Sequence, residues 1–248
     1  VLMIVFVVLN MFMFFTCKER VVEVLVMSRN SPDTSLRIFS SIEHYGLDIT
    51  RAVLSGGTSL SAYLKAFGVD LFLSANEGDV KDAINSGRIY TNTIYDFDPM
   101  KELKQIRIAF DGDAVLFSDE AERIFQKDGL EAFVENEKQN ARKELPEGPF
   151  AKFLKTISDL QKRFEPESSP IRTALVTARN APAHERVVRT LRAWDVRIDE
   201  AFFLGGISKT EVLKAFEPHI FFDDQKVHAD SASNVVPSAQ VPWKNEKQ

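Results

Sequence analysis

The chain has 248 residues, 44% apolar and 27% charged, enough for one large domain or two small ones with a real core. A formal net charge of −5 without a basic stripe argues against nucleic acid as a partner. The single Cys17 excludes an intrachain disulfide and fits a reducing compartment, and the four histidines show no HExxH or zinc-ligand spacing.

Val1 to Phe15 is almost wholly apolar, interrupted by Asn10. The run is shorter than the ~20 residues of a membrane span and has no preceding basic residues, so no stable span is expected. Three readings stay open: a buried strand or helix, the tail of a signal or anchor segment, or a mis-predicted or truncated start. The third is favoured because the rest is an ordinary soluble pattern.

The next region reads V-L-V-M-S-R-N-S-P (Val24 to Pro32), an amphipathic stretch to Tyr45, then V-L-S-G-G-T-S (Val53 to Ser59), Y-L-K-A-F (Tyr63 to Phe67) and V-D-L-F-L-S (Val69 to Ser74). A strand, Ile106 to Phe110, then delivers Asp111 and Asp113 across one glycine into a loop. Charges at the end of a buried strand cost several kcal/mol unless paired. Two carboxylates there, with no cation nearby in sequence, point to a divalent metal and phosphoryl chemistry.

Glu120 to Phe133 and Phe150 to Leu160 carry helical periodicity, separated by the charge run E-N-E-K-Q-N-A-R-K-E (Glu135 to Glu144) and the turn L-P-E-G-P. The charge run reads as a solvated helical face. An insert straight after a catalytic strand is also well placed to act as a lid. The tail after Asp230 reads as a surface strand followed by a frayed end.

Between that insert and the tail the early pattern returns. A-L-V-T-A-R-N-A-P (Ala174 to Pro182), a helix to Trp194, F-F-L-G-G-I-S (Phe202 to Ser208), V-L-K-A-F (Val212 to Phe216) and H-I-F-F-D-D (His219 to Asp224) repeat the order strand, polar loop, helix, strand, Gly-Gly turn, helix, strand. That alternation predicts parallel strands with crossover helices. Arg29-Asn30 matches Arg179-Asn180, and Gly56-Gly57 matches Gly205-Gly206. The copies differ where chemistry would sit: Lys209 faces Leu60, and Asp223-Asp224 faces Ser74-Ala75. The first copy is therefore expected to be structural or regulatory.

Asp111 and Asp113, Thr177, Lys209, and Asp223-Asp224 each follow an apolar strand or its turn, so a parallel sheet would bring all of them to one edge. Carboxylates with backbone carbonyls make an oxygen-rich site suited to Mg²⁺. A hydroxyl and an ammonium opposite them would hold phosphate oxygens. Arg179, Asn180 and Asp119 are weaker candidates: the first two recur in the first copy, and Asp119 could contact substrate or simply begin the lid helix.

These four elements resemble the motifs of the haloacid dehalogenase superfamily. More narrowly, R-I-A-F-D-G-D-A-V-L-F-S-D-E, L-V-T-A-R and P-H-I-F-F-D-D-Q resemble the cytosolic 5'-nucleotidase I family, as do M-S-R-N-S-P-D-T, H-Y-G-L-D-I and Y-L-K-A-F-G-V-D-L-F-L-S-A in the first half. The resemblance covers roughly residues 22 to 243. It departs at Leu60, where proline is expected, and at the N-terminus, where the apolar run replaces a further segment.

The resemblance implies a Rossmann-like three-layer α/β fold with a parallel sheet and a small helical cap, preceded by a degenerate copy of the same unit. It divides the chain into an apolar segment (1–20), the degenerate repeat (21–100) and a catalytic core (101–248) with a cap insertion at about 119–165. It also implies a cytoplasmic Mg²⁺-dependent enzyme acting on nucleoside 5'-monophosphates, AMP prominent among them, with homo-oligomers left open. Asp111 would be the nucleophile and Asp113 the proton shuttle. Thr177 and Lys209 would bind the phosphoryl group, and Arg179, Asn180 and Asp119 would touch substrate. Mg²⁺ would be held by Asp111, the backbone carbonyl of Asp113, and the Asp223-Asp224 pair, with Asp223 the first choice.

Overall fold

The computed structural model describes residues 22–81, 86–90 (backbone only) and 105–242. The apolar run at residues 1–15 lies outside the described residues. Among the described residues, nine strands form in chain order: β1 Leu25–Ser28, β2 Arg51–Leu54, β3 Phe72–Ser74, β4 Ser86–Tyr90, β5 Ile106–Phe110, β6 Ile171–Thr177, β7 Glu200–Phe203, β8 Ile220–Asp223 and β9 Ser238–Gln240. Between them run α1 Ser35–His44, α2 Ser61–Ala66, α3 Glu77–Lys81, α4 Glu120–Gln139, α5 Ala151–Gln161, α6 His184–Ala193, α7 Thr210–Phe216 and α8 Lys226–Ala232.

The main sheet has the order β3-β4-β9-β8-β5-β6-β7, while β1 and β2 pair in a sheet of their own. Five strands, β9-β8-β5-β6-β7, run parallel. β4 joins them antiparallel to β9 and brings β3 with it. The parallel α/β core expected from the alternating pattern is present.

Alternation along each strand explains the layers. Ile108 and Phe110 of β5, Leu175 of β6, and Ile220 and Phe222 of β8 face one side, packing with Phe150, Leu154, Ile157, Val187 and Leu191 from the α5 and α6 region. Ala109, Ala174, Val176 and Phe221 face the other side, against Leu213 and Phe216 of α7 and Ala232 at the end of α8. A fully buried Phe such as Phe110 contributes roughly 1.5–3 kcal/mol.

Two expectations are corrected. The segment after Asp230 is not a surface strand: α8 runs to Ala232, and β9 is an interior strand between β8 and β4 with Ser238 and Ala239 buried. Three small or polar residues give no periodic signal, so neighbours on both sides decide this burial. The charge run is not wholly a solvated face either, because α4 extends to Gln139 and carries Glu137 inside.

Candidate active site

β5, β6 and β8 are adjacent and parallel, so their carboxyl ends meet at one edge. The amide of Asp111 donates to the Phe222 carbonyl (2.8 Å), extending the sheet by one residue. The chain then makes a wide turn, Gly112–Leu116, closed by Phe117 N–H donating to Gly112 O (2.9 Å). Gly112 packs closely here: a Cβ there would lie 3.3 Å from Thr177 Oγ1, so the threonine would have to give way slightly. Ala114 takes a left-handed φ of 58°, an uncommon conformation for a non-glycine residue.

The L-P-E-G-P segment braces this turn from outside. Ser118 N–H donates to Pro146 O (2.8 Å), Gly148 N–H to Leu116 O (2.9 Å) and Phe150 N–H to Val115 O (2.9 Å). A side chain at Gly148 would overlap the Phe117 and Val115 carbonyl oxygens, so only glycine lets the two backbones approach.

Lys209, at the start of α7, reaches two carboxylates: its Nζ lies 2.9 Å from Asp111 Oδ1 and 2.7 Å from Asp223 Oδ2. Asp223 Oδ1 accepts from Gln225 N–H (2.9 Å), and Asp111 Oδ1 accepts from Gly112 N–H (2.7 Å). Asp111, Asp223 and Asp224 each offer a carboxylate oxygen, all within 4.8 Å of one another. Thr177 is buried beside them at the end of β6, its Oγ1 accepting from Arg179 N–H (3.3 Å).

The electrostatics are those of a carboxylate cluster short of cations. Burial pushes the Asp111 carboxyl up to about 7; Lys209 opposes this, and the neighbouring Asp223 adds to it. Burial likewise pushes Asp224 up to about 8, helped by the charges of Asp111 and Asp223. Burial works against the Lys209 ammonium too, but Asp111 and Asp223 outweigh it and hold its pKa above the ordinary lysine range. Asp223 feels the same burial, yet His228, Lys209 and the Gln225 amide leave its pKa below the usual carboxylate value. Three carboxylates facing one ammonium form a hard oxygen donor set that fits a divalent cation.

Asp113 stands apart from this trio. Its carboxylate takes a fork from Arg179, with Nε donating to Oδ2 (2.8 Å) and Nη2 to Oδ1 (2.7 Å). Arg179 Nη1 donates to Glu137 Oε2, and Arg186 Nη1 donates to Glu137 Oε1 (2.9 Å). Burial opposes the Arg179 charge, but Asp113 and Glu137 more than restore it, so its pKa is raised. Asn180 is exposed and packs beside Gly205 at the Gly-Gly turn. Asp119 precedes α4, mostly buried, and pairs with Arg123 (3.0 Å).

The structure thus brings Asp111, Thr177, Lys209, Asp223 and Asp224 together, with Asp113 adjoining them through the turn. Glu137 and Arg186 escaped the sequence reading. Arg186 did leave a signal: it shares the buried stripe of α6 with Val187, Thr190 and Leu191, where a lone cation requires a partner.

Comparison with known proteins gives one family. A sequence model described as 5'-nucleotidase matches residues 3–248. Human (Homo sapiens) cytosolic 5'-nucleotidase 1B is 40% identical over 222 residues, covering 86% of this chain and 36% of that protein. The chain therefore spans about a third of the length of that relative. A chain of the solved Pnkp1/Rnl/Hen1 complex superposes with a TM-score of 0.38 at 14% identity, over 97% of this chain and 94% of that one, a likeness too distant to carry an argument.

Proposed function

The chain belongs to the 5'-nucleotidase family, and on that premise we propose that it is a Mg²⁺-dependent hydrolase of nucleoside 5'-monophosphates, AMP-like in class, acting through an aspartyl-phosphate. The observation that carries this reading is the buried trio Asp111, Asp223 and Asp224 around Lys209, at the carboxyl ends of adjacent parallel strands. Asp111, the Asp113 carbonyl and a carboxylate of the Asp223-Asp224 pair would hold Mg²⁺, which would neutralise phosphoryl charge there. Both Asp223 oxygens already accept hydrogen bonds, which favours Asp224 beside Asp111 as direct ligand, with Asp223 orienting Lys209.

An Asp111 oxygen attacks phosphorus as the bond to the ribose 5'-oxygen breaks, and Asp113 gives that oxygen its proton. Asp113, now a carboxylate, takes a proton from water as the water attacks the aspartyl-phosphate, releasing phosphate and restoring Asp111. Lys209 and the Thr177 hydroxyl hold phosphoryl oxygens, and Lys209 also offsets charge on Asp111. The fold on this reading is of haloacid dehalogenase type, with residues 101–248 as the catalytic core. Residues 21–100 form a degenerate copy, and the cap role falls to the α4 part of the insert at 119–165. The family premise and the reducing-compartment composition support a cytoplasmic setting.

The deciding experiment is a phosphate-release screen of the purified chain over AMP, IMP, dAMP and sugar monophosphates, with Mg²⁺ and with EDTA. Release from nucleotides that EDTA abolishes and Mg²⁺ restores is expected. Binding of AMP without any phosphate release would overturn the reading in favour of a non-catalytic nucleotide-binding protein.

A further inference from the structure

The two similar stretches of the chain keep one spacing. α6 His184–Ala193 follows α1 Ser35–His44 by 149 residues, and β7 Glu200–Phe203 follows β2 Arg51–Leu54 by the same 149. In the second stretch α5 Ala151–Gln161 precedes β6 and packs with α6, Leu154 and Ile157 sharing one core with Val187 and Leu191. Lys155 of α5 also sits over the Trp194 ring (5.0 Å), and Ser158 Oγ accepts from Arg197 N–H (2.8 Å). Among the described residues the first stretch has no such cover. Its apolar cluster, Val24, Ile42 and Ile49 with Val26, Ile38 and Leu47, draws on residues 24–49 alone. Leu25–Ser28 are all partly exposed, where Ala174–Thr177 are all buried. Tyr45, at the place of the half-buried Trp194, is 61% exposed.

We propose that this face of α1 and β1 is a docking site for residues 2–12 of the same chain, which cover it as α5 covers α6. Counted by the same 149 residues, α5 falls on L-M-I-V-F-V-V-L-N-M-F (Leu2 to Phe12). Val5 and Val8 then take the places of Leu154 and Ile157, which α5 buries. Asn10, the one polar residue in the run, takes the place of Asp159, whose side chain is 74% exposed. Phe6 takes the place of Lys155 and meets Tyr45, so that a ring replaces the ammonium on the aromatic face. Connectivity selects this occupant. Nine residues separate Phe12 from Val22, as nine separate Gln161 from Ile171. A segment on so short a tether meets the face at an effective concentration on the order of millimolar, above that of a second copy in dilute solution. Contact removes the apolar run and the apolar face from water together.

The test is amide hydrogen exchange of α1 and β1 in the whole chain. Val8→Asp places a charge at a docked position and should speed exchange there by about tenfold. Asn10→Asp, at the solvated position, should change it by less than about twofold. Equal effects of the two variants, or none from Val8→Asp, overturn the proposal. A second measurement serves if Val8→Asp does not fold. In a Cys17→Ser chain, Phe6→Cys and Tyr45→Cys are joined by a short bismaleimide. The link should form within the monomer at least about tenfold faster than between Phe6→Cys and Leu36→Cys, since Leu36 is exposed near the start of α1. Equal rates overturn the proposal. Links between chains would seat a second copy on the face and overturn it too. So would loss of the monomer link when phosphatidylcholine vesicles are added and the chain floats with them, because the run then prefers a lipid surface.

Discussion

Two regions of the molecule, Val24–Lys81 and Ala174–Ala232, carry left-handed turns and a first parallel strand pair at matching places and differ in charge. Left-handed residues fall at matching points: Gly46 and Asp195 (φ 61° and 52°), Gly56 and Gly205 (58° and 59°), Gly57 and Gly206 (95° and 88°), Gly68 and Glu217 (63° and 52°). In both regions the first two strands pair in parallel, and the Gly-Gly turn is tied to the arginine loop, by Gly57 N–H to Arg29 O (2.7 Å) and Gly205 N–H to Arg179 O (3.4 Å).

The side chains then part company. Leu60 is buried against Leu64 and Phe72, where Lys209 bridges Asp111 and Asp223. Arg29 pairs with Asp79 inside its own unit, whereas Arg179 reaches across to Asp113. The second region also lies against β5, which lines up between β8 and β6 and supplies both aspartates. Turns and strand pairings thus persist while a few strand-end positions decide whether a site is charged. Charge at a buried strand end is costly, so it is kept only where a partner repays it.

The comparison breaks most sharply at Asp111. Asp111→Asn should lower turnover on AMP by about 10³-fold or more while leaving the melting temperature of the metal-free chain intact, since it removes one charge from a crowded carboxylate set. Near-normal turnover in a phosphate-release assay would sink the nucleophile assignment. Next come the reciprocal exchanges at the Lys209 position. Lys209→Leu should cost about 10²–10³-fold in kcat. Leu60→Lys should leave kcat unchanged but destabilise the chain by about 2 kcal/mol or more, read by urea denaturation, because an amine replaces a packed apolar side chain.

Smaller effects test the shared backbone. Gly56→Ala and Gly205→Ala should each cost about 1–2 kcal/mol, for both force a Cβ into the left-handed region. Costs differing widely in denaturant titrations would mean that the two turns are alike in form only. Smallest is Glu217→Gly, which restores the residue type found at Gly68. Relief of left-handed strain, less the entropy of glycine, should raise stability by about 0.5 kcal/mol, seen as a slightly higher denaturation midpoint.

Much of the site was legible because its signals are local. Apolar runs ending in Asp111, Thr177 and Asp223 announce buried strands with polar ends, and the helical inserts force parallel crossovers that gather those ends on one edge. β9 was not legible, since Ser238–Gln240 is buried by β8 and β4 rather than by any pattern of its own. Glu137 sat within a charge run that composition assigns to solvent, and its partners Arg179 and Arg186 lie 42 and 49 residues away.

The alternation of strands and helices in the two similar stretches, and the residue types at their strand ends, follow from the sequence alone, because they rest on periodicity and near-neighbour chemistry. The pairing of Lys209 with Asp111 and Asp223, the burial and crowding that push the Asp111 and Asp224 carboxyls up, and the diversion of Arg179 onto Asp113 were decided only by tertiary structure. Coulombic and hydrogen-bond energies depend on distance and burial, and neither is written in the spacing of residues along a chain.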